Sequence, residues 1–354
     1  MTRLKNRVTI HIRTFVLGAN HGQLLQALGM RHALQKAFGK KIFINFDLHH
    51  NHFLIELMRQ IKSGAVIKLV SLYYWWFKLI RFSNSSRKRD ITVFGADTIW
   101  MKHHPIAKND TFYFGKGLAS GRLVAFSPSN AGSPYLLTDE YISSQLSKFD
   151  FISVRDQPTQ KFVCSLISRN VEITCDPAFF IDSGFWEKKY QSTSLPIVSV
   201  YATSCKSIKA CEQEIVEHGV RVAGGETVRI EYQGYFPSIF SSFGDQKSSP
   251  SRVLSRISAS RLLITDTFHG LVMALMTKTP FILIGSDIVL SRLDSPLLDF
   301  FDSGRITKQS KLLEVLTDPW VWEFADLKES ALQKYIFSSR EKLILTMDSV
   351  INKL

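Results

Sequence analysis

The sequence predicts a doubly wound α/β protein of two domains, and three observations predict it. Short apolar runs of strand length alternate with helical stretches along the whole chain. A polar stretch without period, Asp182–Pro196, breaks that alternation near the middle, and a fresh strand follows it. At 354 residues the chain has room for two domains of ordinary size.

The elements follow in order. In the first half, apolar runs bounded by Gly, Pro, Asn or Asp give strands at Val8–Val16, Lys41–Asn45, Ile91–Phe94, Leu123–Phe126, Phe151–Val154 and Val171–Thr174. Between them, helices are expected at Gln23–Phe38, Phe53–Phe82, Thr138–Leu146 and Thr159–Ser168. The second half repeats the style without repeating the sequence. Its strands are Ile197–Tyr201, Val228–Tyr232, Leu262–Thr265 and Phe281–Ile284, and its helices Ser207–His218, Ser251–Ser258, Leu271–Met276 and Lys328–Ile351. The expected architecture is two Rossmann-like domains, 1–185 and 186–354, facing a cleft that takes the ligand. The last helix is expected to pack back across the junction.

Composition narrows the partners. Hydrophobic content of 45% and charged content of 21% are globular values. A net charge of +13 points to an anionic partner: a phosphorylated small molecule, nucleic acid or an anionic membrane face. No stretch has the pattern of an RNA-recognition module, a helix-turn-helix or a zinc finger, so nucleic acid is not expected. The four cysteines, Cys164, Cys175, Cys205 and Cys211, have no C-x-x-C spacing and no histidine cluster, and read as buried free thiols. The N-terminus leads into a strand rather than a signal-peptide core, and no run of about 18 apolar residues occurs. A cytoplasmic protein is expected. Residues 67–89 mix Trp, Tyr and Phe with Lys and Arg. That mixture suits peripheral contact with a membrane face, or equally a core helix followed by a basic loop.

Six segments carry residue types that bear on chemistry, each just after a strand. Thr265-Asp-Thr-Phe-His-Gly270 ends one strand and opens a helix, which puts His269 where α/β sheets bind ligands and where helix N–H groups meet anions. Leu17–Leu28 hands the first strand to the first helix; Gly18 and Gly22 permit a tight turn, and Asn20 can cap the helix. It reads as a capped βα turn or as a wall of the cleft. In Gly95-Ala-Asp-Thr-Ile-Trp100, Asp97 can accept a proton from a hydroxyl, and an exposed Trp100 could stack on a sugar; the same pattern also fits a helix cap with a core Trp. Arg155 can fork onto carboxylate or phosphate, or pair with Asp156. Cys175-Asp-Pro-Ala178 reads as a structural turn. In Ser286–Asp294, Arg292 can reach the edge that bears His269, or lie on the surface.

Together these segments resemble the polysaccharide pyruvyl transferase family. Asn20-His-Gly-Gln-Leu-Leu-Gln-Ala-Leu28 is similar to the family's Asn-Tyr-Gly followed by Leu-Gln-Ala. Gly95-Ala-Asp-Thr-Ile-Trp100 is similar to Gly-Ser-Asp-Gln-Val-Trp, and Ile152–Asp156 with Asp176-Pro177 to Ser-Val-Arg-Glu and Asp-Pro-Thr. Thr265–Gly270 is similar to Thr-Asp-Ser-Phe-His-Gly, and Ser291–Leu298 to Ser-Arg-Phe-Glu-Ser-Leu-Leu. The resemblance spans roughly residues 8 to 300.

The resemblance implies a fold like that of GT-B glycosyltransferases, with an acceptor-side first domain and a donor-side second. It implies transfer of pyruvate from phosphoenolpyruvate to two hydroxyls of a sugar, in a surface polysaccharide or its lipid-linked precursor. On that basis His269 supplies a proton and Asp97 takes one. Arg155 and Arg292, with Thr267, Phe268 and Gly270, hold the donor, while Asn20, His21, Gly22 and Trp100 line the acceptor side. No metal or cofactor is expected; phosphoenolpyruvate is the donor substrate. The sequence departs from the family at Thr267, where some relatives carry Arg, and at His21 and Ala96, where Tyr and Ser are commoner. Two rival readings are a GT-B glycosyltransferase using a nucleotide sugar and a glycan-binding member without catalysis.

Overall fold

The computed structural model describes residues 7–16, 21–47, 58, 90–101, 111–118, 121–132, 139–186, 196–202, 206–224, 226, 228–232, 250–285, 296–324 and 327–354. In chain order the elements run β1 (Val8–Arg13), α1 (His21–Phe38), β2 (Ile42–Phe46), β3 (Ile91–Phe94), β4 (Arg122–Ala125), α2 (Asp139–Leu146), β5 (Phe151–Val154), α3 (Gln157–Leu166) and β6 (Glu172–Ile173). They continue with β7 (Ile197–Tyr201), α4 (Lys206–Ala210), α5 (Glu212–Val222), β8 (Arg229–Tyr232), α6 (Pro250–Ser258), β9 (Leu262–Thr265), α7 (Phe268–Thr277), β10 (Phe281–Ile284), β11 (Ile306–Thr307), α8 (Leu312–Leu316) and α9 (Glu329–Ile351). The chain divides into two compact units: Met1–Gly18, Gln23–Ile181 and Gln333–Leu354 form the first, Ala19–Gly22 and Asp182–Leu332 the second.

In the first unit six parallel strands stand in the order β2-β1-β3-β4-β5-β6. β3 is buried along its whole length, as a strand covered on both faces must be. Phe15, Phe94, Trp100, Tyr113, Phe114 and Phe149 are the large members of its core. α9 belongs here from Gln333 onward: the Ser339 hydroxyl accepts from the Cys175 N–H at 3.0 Å, and Lys342 pairs with Glu172.

In the second unit five parallel strands stand in the order β11-β10-β9-β7-β8. Its core gathers Val198, Val200, Leu262, Ile264, Ile282 and Ile284 from the strands and Leu312, Leu316 and Trp322 from the segments that follow. Both units share one topology. The first strand of each lies between its second and its third, and the chain winds outward from that pair in both directions. The crevice between the carboxyl ends of β1 and β3, and that between β7 and β9, are therefore topological switch points, where α/β sheets bind ligands.

Several expectations need correction. β1 ends at Arg13 rather than Val16, because Thr14 and Phe15 leave the sheet to bond with α1. The helix expected at Ser207–His218 is two helices, α4 and α5, and α7 begins at Phe268, so His269 lies on its first turn rather than before it. β11 and α8 were not expected. Of the three described cysteines only Cys175 is buried; Cys164 is exposed and Cys211 half-buried. Apart from Met58, the Phe53–Phe82 helix and the 67–89 stretch lie outside the described residues.

Candidate active site

The second unit builds the more concentrated site. β9 is an uninterrupted apolar strand whose last residue, Thr265, turns its hydroxyl across the switch point and donates to the Tyr201 carbonyl of β7 at 2.6 Å. Two residues on, Thr267 is extended and caps α7, its Oγ1 accepting from the Gly270 N–H at 2.8 Å. The Thr267 N–H donates to Thr265 Oγ1 at 3.1 Å. This knot fixes the start of α7 and puts His269 on its first turn, 7% exposed, with the Phe268 ring edge-on at 5.4 Å. The macrodipole of α7 makes that end favourable to an anion.

Two glycines let His269 sit where it does. A Cβ at Gly22 would stand against Cγ, Cβ and Nδ1 of His269, closer than real carbon atoms approach. A Cβ at Gly270 would run into the Thr265 hydroxyl. Beside Gly22, His21 is buried with its ring edge-on to Tyr201 at 6.4 Å. The structure thus brings together His21, Gly22, Thr267, Phe268, His269 and Gly270 from the residues named in sequence.

The first unit carries Asp97 just beyond β3, at its own switch point. Asp97 is 6% exposed and left-handed, with φ of 66°, a conformation that Asp tolerates better than most residues. Its Oδ1 accepts from the Thr98 N–H at 2.7 Å, and its carbonyl from the Ser129 N–H at 2.9 Å. The preceding Gly95–Ala96 peptide is cis. The Ala96 N–H donates to Gln26 Oε1 of α1 at 2.9 Å, and Gln26 Nε2 donates to Thr14 Oγ1 at 2.7 Å and to the Phe15 carbonyl at 3.1 Å. On the other side of β1, Asp47 takes a bond from His11 Nδ1 at 2.7 Å and from Arg13 Nε at 3.0 Å. Burial alone would raise the Asp47 carboxyl, but the His11 bond and the Arg13 charge outweigh it and hold the group below its ordinary range.

Two expectations change. Trp100 is not an exposed stacking platform: it is fully buried, stacked on Phe114 at 5.3 Å, with its indole N–H donated to the Tyr113 carbonyl at 3.0 Å. An aromatic one turn past a buried strand falls into the core because that side of the sheet is already lined with Phe. Arg155 is 2% exposed and pairs with Asp176 at 3.1 Å, not with Asp156, which instead caps α3 through the Thr159 N–H. Burial pushes the nearby Tyr335 hydroxyl of α9 well above its ordinary range, with Cys175 and Asp176 adding to the rise and Arg155 opposing it. Asn20 and Arg292 lie outside the described residues.

The sequence assigns no role to Gln26, which enters only within the Leu-Gln-Ala resemblance, and none to Tyr201, which enters only as the end of a strand. A signal for Gln26 existed: it is the polar member of the Leu24-Leu25-Gln26-Ala27 run, every residue of which is buried. Tyr201 gave none, because neither its carbonyl bond from Thr265 nor its ring contact with His21 has a local pattern in the chain.

Comparison with known proteins bears on fold and on family separately. A Listeria monocytogenes structure assigned as a UDP-N-acetylglucosamine 2-epimerase is similar over 99% of this chain and 98% of its own, at 11% identity and a TM-score of 0.52. The Neisseria meningitidis UDP-GlcNAc 2-epimerase bound to UDP-GlcNAc covers 97% of this chain and 100% of its own, at 11% identity and a TM-score of 0.50. An E. coli heptosyltransferase with ADP covers 94% and 100% at 13% identity, with a TM-score of 0.41. For the two epimerases, at 11% identity, the likeness is one of fold alone, two parallel α/β units of the GT-B kind. No curated protein matches the chain. The profile of one transferase family matches residues 20–288, a stretch that begins one residue before α1 and takes in Asp97 and His269, and by that match the chain belongs to the polysaccharide pyruvyl transferase family.

Proposed function

We propose that the protein moves pyruvate from phosphoenolpyruvate onto two hydroxyls of one sugar, forming a cyclic ketal on a surface polysaccharide or its lipid-linked precursor. The observation that carries this reading is His269, an imidazole on the first turn of α7 at the switch point of the second sheet, flanked by the backbone of Gly22. The donor bears phosphate and carboxylate, and a helix start favours such an anion. Histidine is the side chain best suited to move a proton near neutral pH.

In this scheme His269 gives a proton to the donor, at its methylene or at the leaving phosphate, and carbon 2 becomes electrophilic. Asp97 takes the proton of the attacking sugar hydroxyl. A second hydroxyl closes the ketal as phosphate leaves. Both hydroxyl protons leave the sugar: one ends in the new methyl group, the other on the phosphate. Neither metal nor cofactor enters the scheme. The first unit serves the acceptor and the second the donor. Thr267, Phe268 and Gly270 act on the donor by forming the helix start, with Arg292 as its cation. Arg155, already paired with Asp176, is assigned instead to holding the loop after β6. Asn20, His21 and Gly22, expected on the acceptor side, belong to the second unit, where Gly22 abuts His269, and are assigned to the donor side with it. We place the protein in the cytoplasm, peripheral to the inner face of the membrane through 67–89; among the described residues no helix is long and apolar enough to cross a membrane.

The test is incubation of purified protein with phosphoenolpyruvate and a panel of lipid-linked and nitrophenyl glycosides. Expected are phosphate release and a glycan mass gain matching a pyruvate ketal, with His269→Ala lowering the rate by roughly 10²–10⁴-fold. No gain with any acceptor, together with nucleotide-sugar binding, would overturn the reading in favour of a glycosyltransferase.

A further inference from the structure

The Gln26 side chain is fully buried, and both ends of its amide are engaged at the first unit's switch point. Its carbonyl oxygen accepts the Ala96 N–H at 2.9 Å. Its amino group donates to Thr14 Oγ1 at 2.7 Å and to the Phe15 carbonyl at 3.1 Å. Thr14 Oγ1 in turn donates to the Ala96 carbonyl at 3.2 Å. Both polar groups of Ala96 are therefore held from α1 and the end of β1, and the residue they hold is the one before Asp97. On the far side the Asp97 carbonyl is held by the Ser129 N–H from the loop after β4.

We infer that Gln26 is a positioning residue for Asp97. Asp97 keeps φ of 66°, a backbone state that an unrestrained aspartate visits rarely. Such a state persists only where the surroundings over-determine it. The pinning on either side of Asp97 does that, and Gln26 is its anchor in α1. The task needs one acceptor and two donors on the end of a side chain of this length, which is the inventory of a glutamine amide. Leucine has the shape without the bonds, and a glutamate has the acceptor without the donors until it is protonated. The inference rests on the proposed role of Asp97 as the proton acceptor.

The experiment pairs kinetics with a readout that does not depend on turnover. Gln26→Leu, Gln26→Glu and Asp97→Asn are prepared in the full chain. Pyruvate transfer is measured as kcat and KM against pH, and amide hydrogen exchange is followed at 96–98 and, as an internal reference, at 91–94. For Gln26→Leu the expected result is a kcat lower by roughly 10–100-fold with both KM values nearly unchanged, as for a misplaced catalytic group. Exchange at 96–98 opens while 91–94 stays protected. Gln26→Glu is expected to recover part of the rate toward acid pH, where a protonated carboxyl donates again. Unchanged kcat in Gln26→Leu overturns the inference, whether or not exchange opens. Full activity in Asp97→Asn also removes it, because Asp97 is then not the base; opened exchange in Gln26→Leu would show in that case that the contact is real and the assigned role is what failed.

Discussion

The two units lay out their strands in the same order around the first, yet they secure their switch points by different means. In the first unit the residue of interest, Asp97, is held through hydrogen bonds to its neighbours: Gln26 and Thr14 grip Ala96, Ser129 grips the Asp97 carbonyl, and the end of β1 is tied again by Arg13 and His11 to Asp47. In the second unit close packing surrounds the residue of interest, His269. A capped helix turn presents it, and two glycines leave the space it fills. Hydrogen bonds fix direction, and close packing excludes alternatives. A backbone held in a sparsely populated state needs the first. An imidazole whose side-chain root is packed against a neighbouring backbone is set by the second. The first edge should therefore be sensitive to loss of polar atoms, and the second to added volume.

The largest effect tests the first edge. Asp47→Ala leaves the Arg13 guanidinium, 3% exposed, without its carboxylate, and breaking a buried pair in this way costs about 3–5 kcal/mol. The sign with pH follows from the depressed pKa of Asp47. Its contribution is fully present above the ordinary carboxylate value of 3.8 and is lost as pH falls through the lowered value in the folded chain. Urea unfolding across acid pH should show wild-type stability falling in that window, with a shallower slope in Asp47→Asn. An unchanged slope would mean that the tie at β1 is ornamental and the contrast between the edges too strong.

Next comes Gly22→Ala, which tests the second edge. The added methyl would meet the root of the His269 side chain rather than a flexible tip, so the imidazole or the helix must move. A displacement of that order costs about a hundredfold in kcat/KM, roughly 2.7 kcal/mol of barrier. Kinetics on the acceptor found in the pyruvyl transfer assay will decide it. An alanine variant of full activity would show that shape does not hold His269.

Much of the scaffold was legible because its strands are buried apolar runs with sharp polar ends. Ile91–Phe94, Phe151–Val154, Ile197–Tyr201, Leu262–Thr265 and Phe281–Ile284 were each expected at the bounds that the structure has. β11 was not, because two residues leave no pattern to read. The positions of Asp97 and His269 at strand ends were also legible, since a strand's carboxyl end can be read from where its apolar run stops. What sequence could not show is how the ends are tied. Gln26 is 70 residues from Ala96, and Asp47 is 34 from Arg13; no local pattern announces such pairs. Nor could it tell whether Trp100 faces solvent, because core and site both use aromatics, and only the packing of Phe114 against the indole decides it.

The smallest effect sharpens the contrast most, because Thr267 belongs by position to the second edge but acts through a hydrogen bond. It stands where some relatives carry arginine, which leaves two parts open to it: capping α7 or contacting the donor. The geometry favours the cap, since Oγ1 accepts from the Gly270 N–H at 2.8 Å and lies 3.1 Å from Thr265 Oγ1. Removing such a cap costs about 1 kcal/mol. Thr267→Ala should lower the urea midpoint by that free energy divided by an unchanged slope, and Thr267→Ser should restore it. Donor KM should move little in either variant, because the helix start remains. If the midpoint stays and donor KM rises instead, Thr267 is a ligand of the donor. The second edge would then be tuned by polar atoms as the first is, and the division between an edge held by bonds and an edge held by shape would fall.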